Sequence, residues 1–140
     1  MPIRQASSFW IEAGAMSGGA AHQIEFPNEL AEFFDDNARH EEVVTIRFPG
    51  GQSFIRPLTY RGTDYGQWTD IWRLGLPTAN MGGPQYSGRV IKFERLQEGE
   101  NTVYVVTVAD AGSAESQAWN AQSSTKDQTG GPQGRKYGYW

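Results

Sequence analysis

The chain has no cysteine and only two histidines, His22 and His40. Thiolate chemistry, disulfide frameworks and cysteine-based zinc sites are therefore excluded, and two isolated imidazoles are too few for a histidine-built metal centre. No apolar run approaches the roughly 20 residues of a membrane span. The first residues lack the basic-then-apolar layout of a secretory signal. An excess of positive charge is missing too: the net charge is -4, whereas a generic nucleic-acid binder is basic overall.

Catalytic motifs are equally scarce. No Asp is followed by the acid-x-Lys strand of a metal-dependent nuclease, and there is no Gly-x-Ser-x-Gly elbow, phosphate-binding loop with Lys or His-Glu-x-x-His helix. Asp35 and Asp36 read as a solvated helix end rather than an acid/base couple. The chain by itself is expected to be non-catalytic, with no cofactor and no metal. At 140 residues it is long enough to bury a core without staples.

The charge is unevenly spread. Between residues 28 and 42 six acids stand against Arg39, a balance of -5. Between residues 56 and 95 six bases stand against Asp64, Asp70 and Glu94, a balance of +3. One face is expected to meet phosphates and the other to turn away.

Residues 7–13 alternate, with Phe9, Ile11 and Ala13 on one side and Trp10 and Glu12 on the other, which predicts a half-buried strand. A glycine-rich stretch over residues 14–22 then reads as a bare hairpin tip, followed by a second strand from Gln23. Over residues 27–34 the period becomes helical: Asn28 is an N-cap candidate, and Leu30, Phe33 and Phe34 share a face of a helix of two or three turns at most. Residues 42–48 and 52–60 predict a hairpin turned by Pro49, Gly50 and Gly51, with Pro57 marking an edge or a bend. A short strand over 69–74, a loop over 75–84 and strands over 89–96 and 102–109 follow. The nearly continuous apolar run 103–108 is expected at the sheet centre. This gives about seven strands, a mainly β barrel or sandwich. Residues 113–122 suit a short helix, and 123–134 have the composition of a linker.

Two segments carry recognition chemistry. In the first, His22 and Gln23 follow Gly18 and Gly19, placing two hydrogen-bonding side chains beside a flexible tip; His22 alone reads equally as a structural histidine. In the second, residues 59–73, Arg61 and Arg73 match guanine and Gln67 matches adenine in the major groove. Asp64 or Asp70 can accept from cytosine, while Tyr60, Tyr65 and Trp68 can pack on sugars or methyls. Trp72 and Leu74 resume strand spacing and read as core. Arg89 and Arg95 fall on one strand face and Lys92 on the other; as a set they read as solvated surface, with Arg89 the best phosphate candidate.

The order of these pieces resembles the B3-like DNA-recognition (effector-binding) domains of EcoRII/UbaLAI-type restriction endonucleases. The resemblance is carried by residues 17–27, Leu58-Thr-Tyr-Arg61, Trp72-Arg-Leu-Gly-Leu-Pro77, residues 88–93 and 103–108, and covers about residues 9–111. It implies a seven-stranded open pseudobarrel with one or two short helices over residues 1–122. Residues 123–140 would be a linker-like tail leading to a nuclease domain absent from this chain. It also implies a cytoplasmic bacterial restriction-modification protein, partnered by double-stranded DNA and by neither membrane nor metal. Two arms would grip the duplex and read a short site, a CCWGG-like one being the first to test. The first arm corresponds to residues 16–23, with Met16, Ser17, Gly18, Gly19, His22 and Gln23. The second corresponds to residues 60–73, with Tyr60, Arg61, Thr63, Asp64, Tyr65, Gln67, Trp68, Asp70 and Arg73. Arg56 and Arg89 are added as phosphate contacts. The second arm departs from the family in being shorter and less basic.

A competing reading is a carbohydrate- or small-ligand-binding β module with exposed Trp10, Tyr65, Trp68 and Tyr86 as stacking platforms, for which an aromatic content of 13% leaves room. A third, a subunit-docking domain, would be marked by an exposed apolar patch.

Overall fold

The computed structural model describes residues 2–14, 22–34, 42–62, 71–129 and 134–140. Its strands are β1 (Ser8–Glu12), β2 (Gln23–Pro27), β3 (Glu42–Arg47), β4 (Ser53–Gly62), β5 (Ile71–Gly75), β6 (Arg89–Glu98), β7 (Asn101–Asp110), β8 (Thr125–Gln128) and β9 (Lys136–Tyr139). The helices are α1 (Asn28–Ala31) and α2 (Ala114–Gln122). The fold is mainly β, one curled half-barrel sheet of nine strands in the order β2-β5-β4-β3-β7-β6-β1-β9-β8. The apolar run 103–108 lies in β7, the middle strand, between parallel β3 and antiparallel β6.

Alternation decides which side chains enter the core. Phe9 and Ile11 of β1, Ile24 of β2, Val44 and Ile46 of β3, Trp72 and Leu74 of β5, Ile91 and Phe93 of β6 and Tyr104 and Val106 of β7 form one buried cluster. α1 begins with Pro27, not Asn28, in the N-cap position and lasts a single turn. Two short backbone bonds, Phe33 N–H to Leu30 and Phe34 N–H to Ala31, then tighten the chain. They drive Phe33 and Phe34 into the core, where the Phe34 ring sits 5.1 Å from Phe93 and 4.9 Å from Tyr104. Fully burying one such ring contributes about 1.5–3 kcal/mol.

Pro57 is tolerated inside β4 because pairing with β5 starts only at Leu58, opposite Leu74; on the other side Pro57 faces Val43. The β6–β7 hairpin turns between Glu98 and Asn101, with Gly99 at φ +62°, the left-handed conformation that a two-residue loop requires.

Three expectations are corrected. The first strand is buried on both faces, not one: Trp10, only 5% exposed, joins Val90, Ala109 and Trp119 in a second cluster beneath α2. α2 is placed by Ser113, whose Oγ accepts from Ser116 N–H at 3.2 Å. Within the expected linker-like tail over residues 123–140, Thr125–Gln128 and Lys136–Tyr139 are strands instead: β9 pairs with β1, Trp10 opposite Gly138, and β8 pairs with β9. Among the described residues nine strands thus stand where seven were expected. Finally, residues 14–22 are not the tip of a hairpin. β1 pairs with β6 and β9 while β2 pairs with β5, so the glycine-rich segment crosses between strands on different sides of the sheet order. Glycine composition marks a connection; it does not say which strands the connection joins.

Candidate nucleic-acid interface

Residues 15–21 join β1 to β2, and residues 63–70 join β4 to β5. β2 and β5 are antiparallel neighbours, Gln23 opposite Gly75 and Pro27 opposite Ile71. The first segment therefore enters the ladder at its Gln23 end and the second at its Ile71 end. Four residue steps separate those ends, about 14 Å at the rise of an antiparallel strand. The two connections attach at opposite ends of the ladder.

Of the first-arm residues, Met16, Ser17, Gly18 and Gly19 lie outside the described residues. His22 is half-buried and its carbonyl accepts from Leu76 N–H at 2.7 Å, fixing the entry to β2; Gln23 is half-buried beside it. In the second arm Tyr60 is exposed on β4 with its ring 5.3 Å from Trp72, and the backbone of Arg61 is the next step of that strand. Thr63, Asp64, Tyr65, Gln67, Trp68 and Asp70 lie outside the described residues. Trp72 and Leu74 are wholly buried, as their spacing predicts.

Arg73 behaves differently from a free reader. Its Nη2 pairs with Glu25 Oε2 at 3.0 Å across the β2–β5 ladder. Its Nε is buried without a partner among the described residues. One guanidinium nitrogen of Arg73 is thus engaged with Glu25 across the ladder.

The two expected phosphate contacts lie by the two ends of the first segment. Arg56 is half-buried, on β4, and donates Nε to the Gly75 carbonyl at 3.0 Å, opposite Gln23 where the segment ends. Arg89 lies where the segment begins: its carbonyl accepts from Ala13 N–H at 2.9 Å, and Gly88 N–H donates to Gly14 at 2.9 Å. Its side chain pairs with the exposed Asp110 at 3.2 Å. Such an exposed pair is worth about 0–1 kcal/mol and yields readily to a phosphate.

Arg95, grouped with a solvated set, is instead structural. Its guanidinium holds the carbonyls of Phe33, Arg4 and Ile3, because β6 carries it on the same face as Ile91 and Phe93. Lys92, on the other face, lies 5.3 Å from the Trp119 ring centre. Of the six acids between residues 28 and 42, Asp35, Asp36 and Glu41 lie outside the described residues, as does Arg39.

The stacking-platform reading loses two of its four rings. Trp10 donates Nε1 to Ser123 Oγ at 2.7 Å under α2, and Tyr86, 2% exposed, donates its hydroxyl to the Pro77 carbonyl at 2.7 Å. Tyr65 and Trp68 lie outside the described residues. Exposed apolar side chains do occur elsewhere: Ile55 (70%), Val43 (65%) and Leu96 stand on the sheet face opposite the main core, linked by Thr45 and Val103 across β4, β3, β7 and β6.

Sequence reasoning missed Glu12, Glu25 and Arg135, whose guanidinium donates to the carbonyls of both glutamates. A lone arginine in a glycine-rich tail gives no periodic signal. Among the described residues no group of three or more His, Asp or Glu is placed to hold a metal, and no helix is long and apolar enough to cross a membrane. No protein-family model matches the sequence, and no curated protein matches it.

Proposed function

We propose that this chain is a sequence-specific double-stranded DNA-binding module of the restriction-endonuclease kind. It would read a short site, CCWGG-like as the first case to test, while a separate domain carries the nuclease. The observation that carries this reading is that residues 15–21 and 63–70 attach at opposite ends of the β2–β5 ladder. A spacing of about 14 Å suits two elements that flank a major groove of about 12 Å. In this reading Arg56 and Arg89, by either end of the first segment, would anchor phosphates, and Gln23, His22, Tyr60 and Arg61, at or beside the strand ends, would read the bases. Phosphate contacts position the module and the arm side chains specify the site.

The test is titration of the chain against a duplex carrying the site and against its scrambled counterpart. Specific binding with Kd on the order of 10⁻⁸ M or tighter, weakening as salt rises, supports the reading. Arg61→Ala and His22→Ala each lose discrimination. Equal affinity for every duplex, or none at low salt, sinks it.

The exposed row of Val43, Ile55 and Leu96 favours a second reading, a docking contact with another protein chain. It lies on the face opposite the core and makes no demand on the arms. Ile55→Asp would abolish such docking and leave duplex binding unchanged.

A further inference from the structure

Arg135 immediately precedes β9, and its main chain is pinned on both sides to the buried Thr129. Its N–H donates to Thr129 Oγ1 at 2.8 Å and its carbonyl accepts from Thr129 N–H at 2.8 Å. From that fixed point the guanidinium reaches two strands that share no ladder. Nη1 donates to the Glu12 carbonyl of β1 at 3.4 Å, and Nη2 donates to the Glu25 carbonyl of β2.

The carboxylates of the same two residues continue the connection. Glu12 Oε1 accepts from Lys136 N–H at 2.8 Å, which ties β1 to the start of β9. Glu25 Oε2 holds Arg73 Nη2 at 3.0 Å, which ties β2 to β5. Burial works against the charge on Arg135, and the Glu25 and Glu12 carboxylates offset part of that cost. Gly14 leaves room for the side chain. Its φ is +66°, and a Cβ there would stand 3.2 Å from Arg135 Cδ.

Glu12 is the last residue of β1, before the glycine-rich segment, and Glu25 is the third residue of β2, after it. No backbone ladder among the described residues joins these stems directly; the planar fork of Arg135 reaches both. We propose that Arg135 is the positioning residue of the two arms. It clips together the stems of the first segment and, through Glu25 and Arg73, registers them against the strand that leaves the second. Calling these segments arms rests on the duplex-binding reading; the clip itself does not.

The absence of cysteine allows a direct test on the full chain. Spin labels at Ser17→Cys and Gln67→Cys report the distance between the segments without DNA, in the parent, in Arg135→Ala and in Arg135→Lys, whose single ammonium cannot bridge two carbonyls as a fork does. Near-ultraviolet circular dichroism of the five tryptophans monitors the core. The expected result is a shifted and broadened distance distribution in both variants with the tryptophan signal retained, and duplex affinity lowered roughly 2- to 30-fold. Unchanged distances in both variants overturn the proposal. So does joint loss of the tryptophan signal in both, which makes Arg135 a general folding residue. If the distances broaden but the parent binds no duplex, the clip stands and the DNA reading falls.

Discussion

The guanidinium of Arg95 lies 4.4 Å from the centre of the Phe33 ring and donates both Nε, at 3.1 Å, and Nη2, at 2.6 Å, to the Phe33 carbonyl. A third nitrogen, Nη1, holds the Arg4 carbonyl at 2.7 Å. One side chain of β6 thus secures the turn after α1 and the N-terminal segment together. Arg95→Ala is expected to destabilise the protein by roughly 2–4 kcal/mol, since it removes charge-assisted bonds and a cation–π contact while stranding carbonyls. Urea unfolding measures this, and a change within about 0.5 kcal/mol, the range of an ordinary surface substitution, would show that the contact is idle.

The C-terminal strands are expected to be integral to the fold. A Cβ on Gly138 would stand 2.6 Å from Ser123 Oγ and 2.7 Å from Trp10 Nε1. Gly138→Ala should therefore cost about 1–3 kcal/mol through overpacking. Removal of residues 123–140 exposes β1 along its whole paired edge and uncovers Trp10. Thermal melting of the shortened chain should show loss of the cooperative transition; an unaltered melt would restore the linker reading.

Two tyrosines make stability sensitive to alkali. Burial holds the Tyr86 hydroxyl well above the usual phenol range. Burial first, then Asp127, Glu29 and Tyr139, pushes Tyr137 up to about 12. The folded pKa exceeds the unfolded value of about 10, so the folded state favours the protonated form. Its contribution is complete below pH of about 10 and is lost as pH rises toward 12. Urea midpoints measured across that window should fall steadily, and Tyr86→Phe should flatten the fall. An equally steep decline in that variant would assign the effect to other groups.

Arg56, Arg73 and Arg89 are expected to separate in salt titrations of duplex binding. Removing one cation that neutralises a phosphate lowers the slope of log K against log salt by about 0.9. Arg56→Ala and Arg89→Ala should each show that reduction. Arg73, spent on Glu25, should leave the slope unchanged while lowering the unfolding midpoint. A reduced slope in Arg73→Ala would return it to the DNA contacts.

The first seven strands were legible because each carries an alternating or continuous apolar pattern, and the packing of Trp72, Leu74 and Val106 follows it. β8 and β9 were not: the edge strand β8, Thr-Lys-Asp-Gln, is polar throughout and held by ladder bonds, and β9, paired on both sides, is only four residues long with a glycine inside it. Trp10 was misplaced for a related reason: alternation assigns one side of β1 to solvent unless another element covers it, and α2 does so from over a hundred residues away. Of the candidate site, the positions of Arg56 on a strand and of Arg89 at a strand start were legible from the apolar alternation around them. The partners of Arg73 and Arg135 were not, since which arginines meet carbonyls and carboxylates depends on strand order rather than on local sequence.

The central claim, that the two segments read a defined duplex site, is tested most directly by selection from a pool of randomised duplexes with the full chain. The account predicts enrichment of a single short motif, lost when His22→Ala or Arg61→Ala is used in its place. A pool that stays random through successive rounds, or the same motif recovered with both variants, would contradict it.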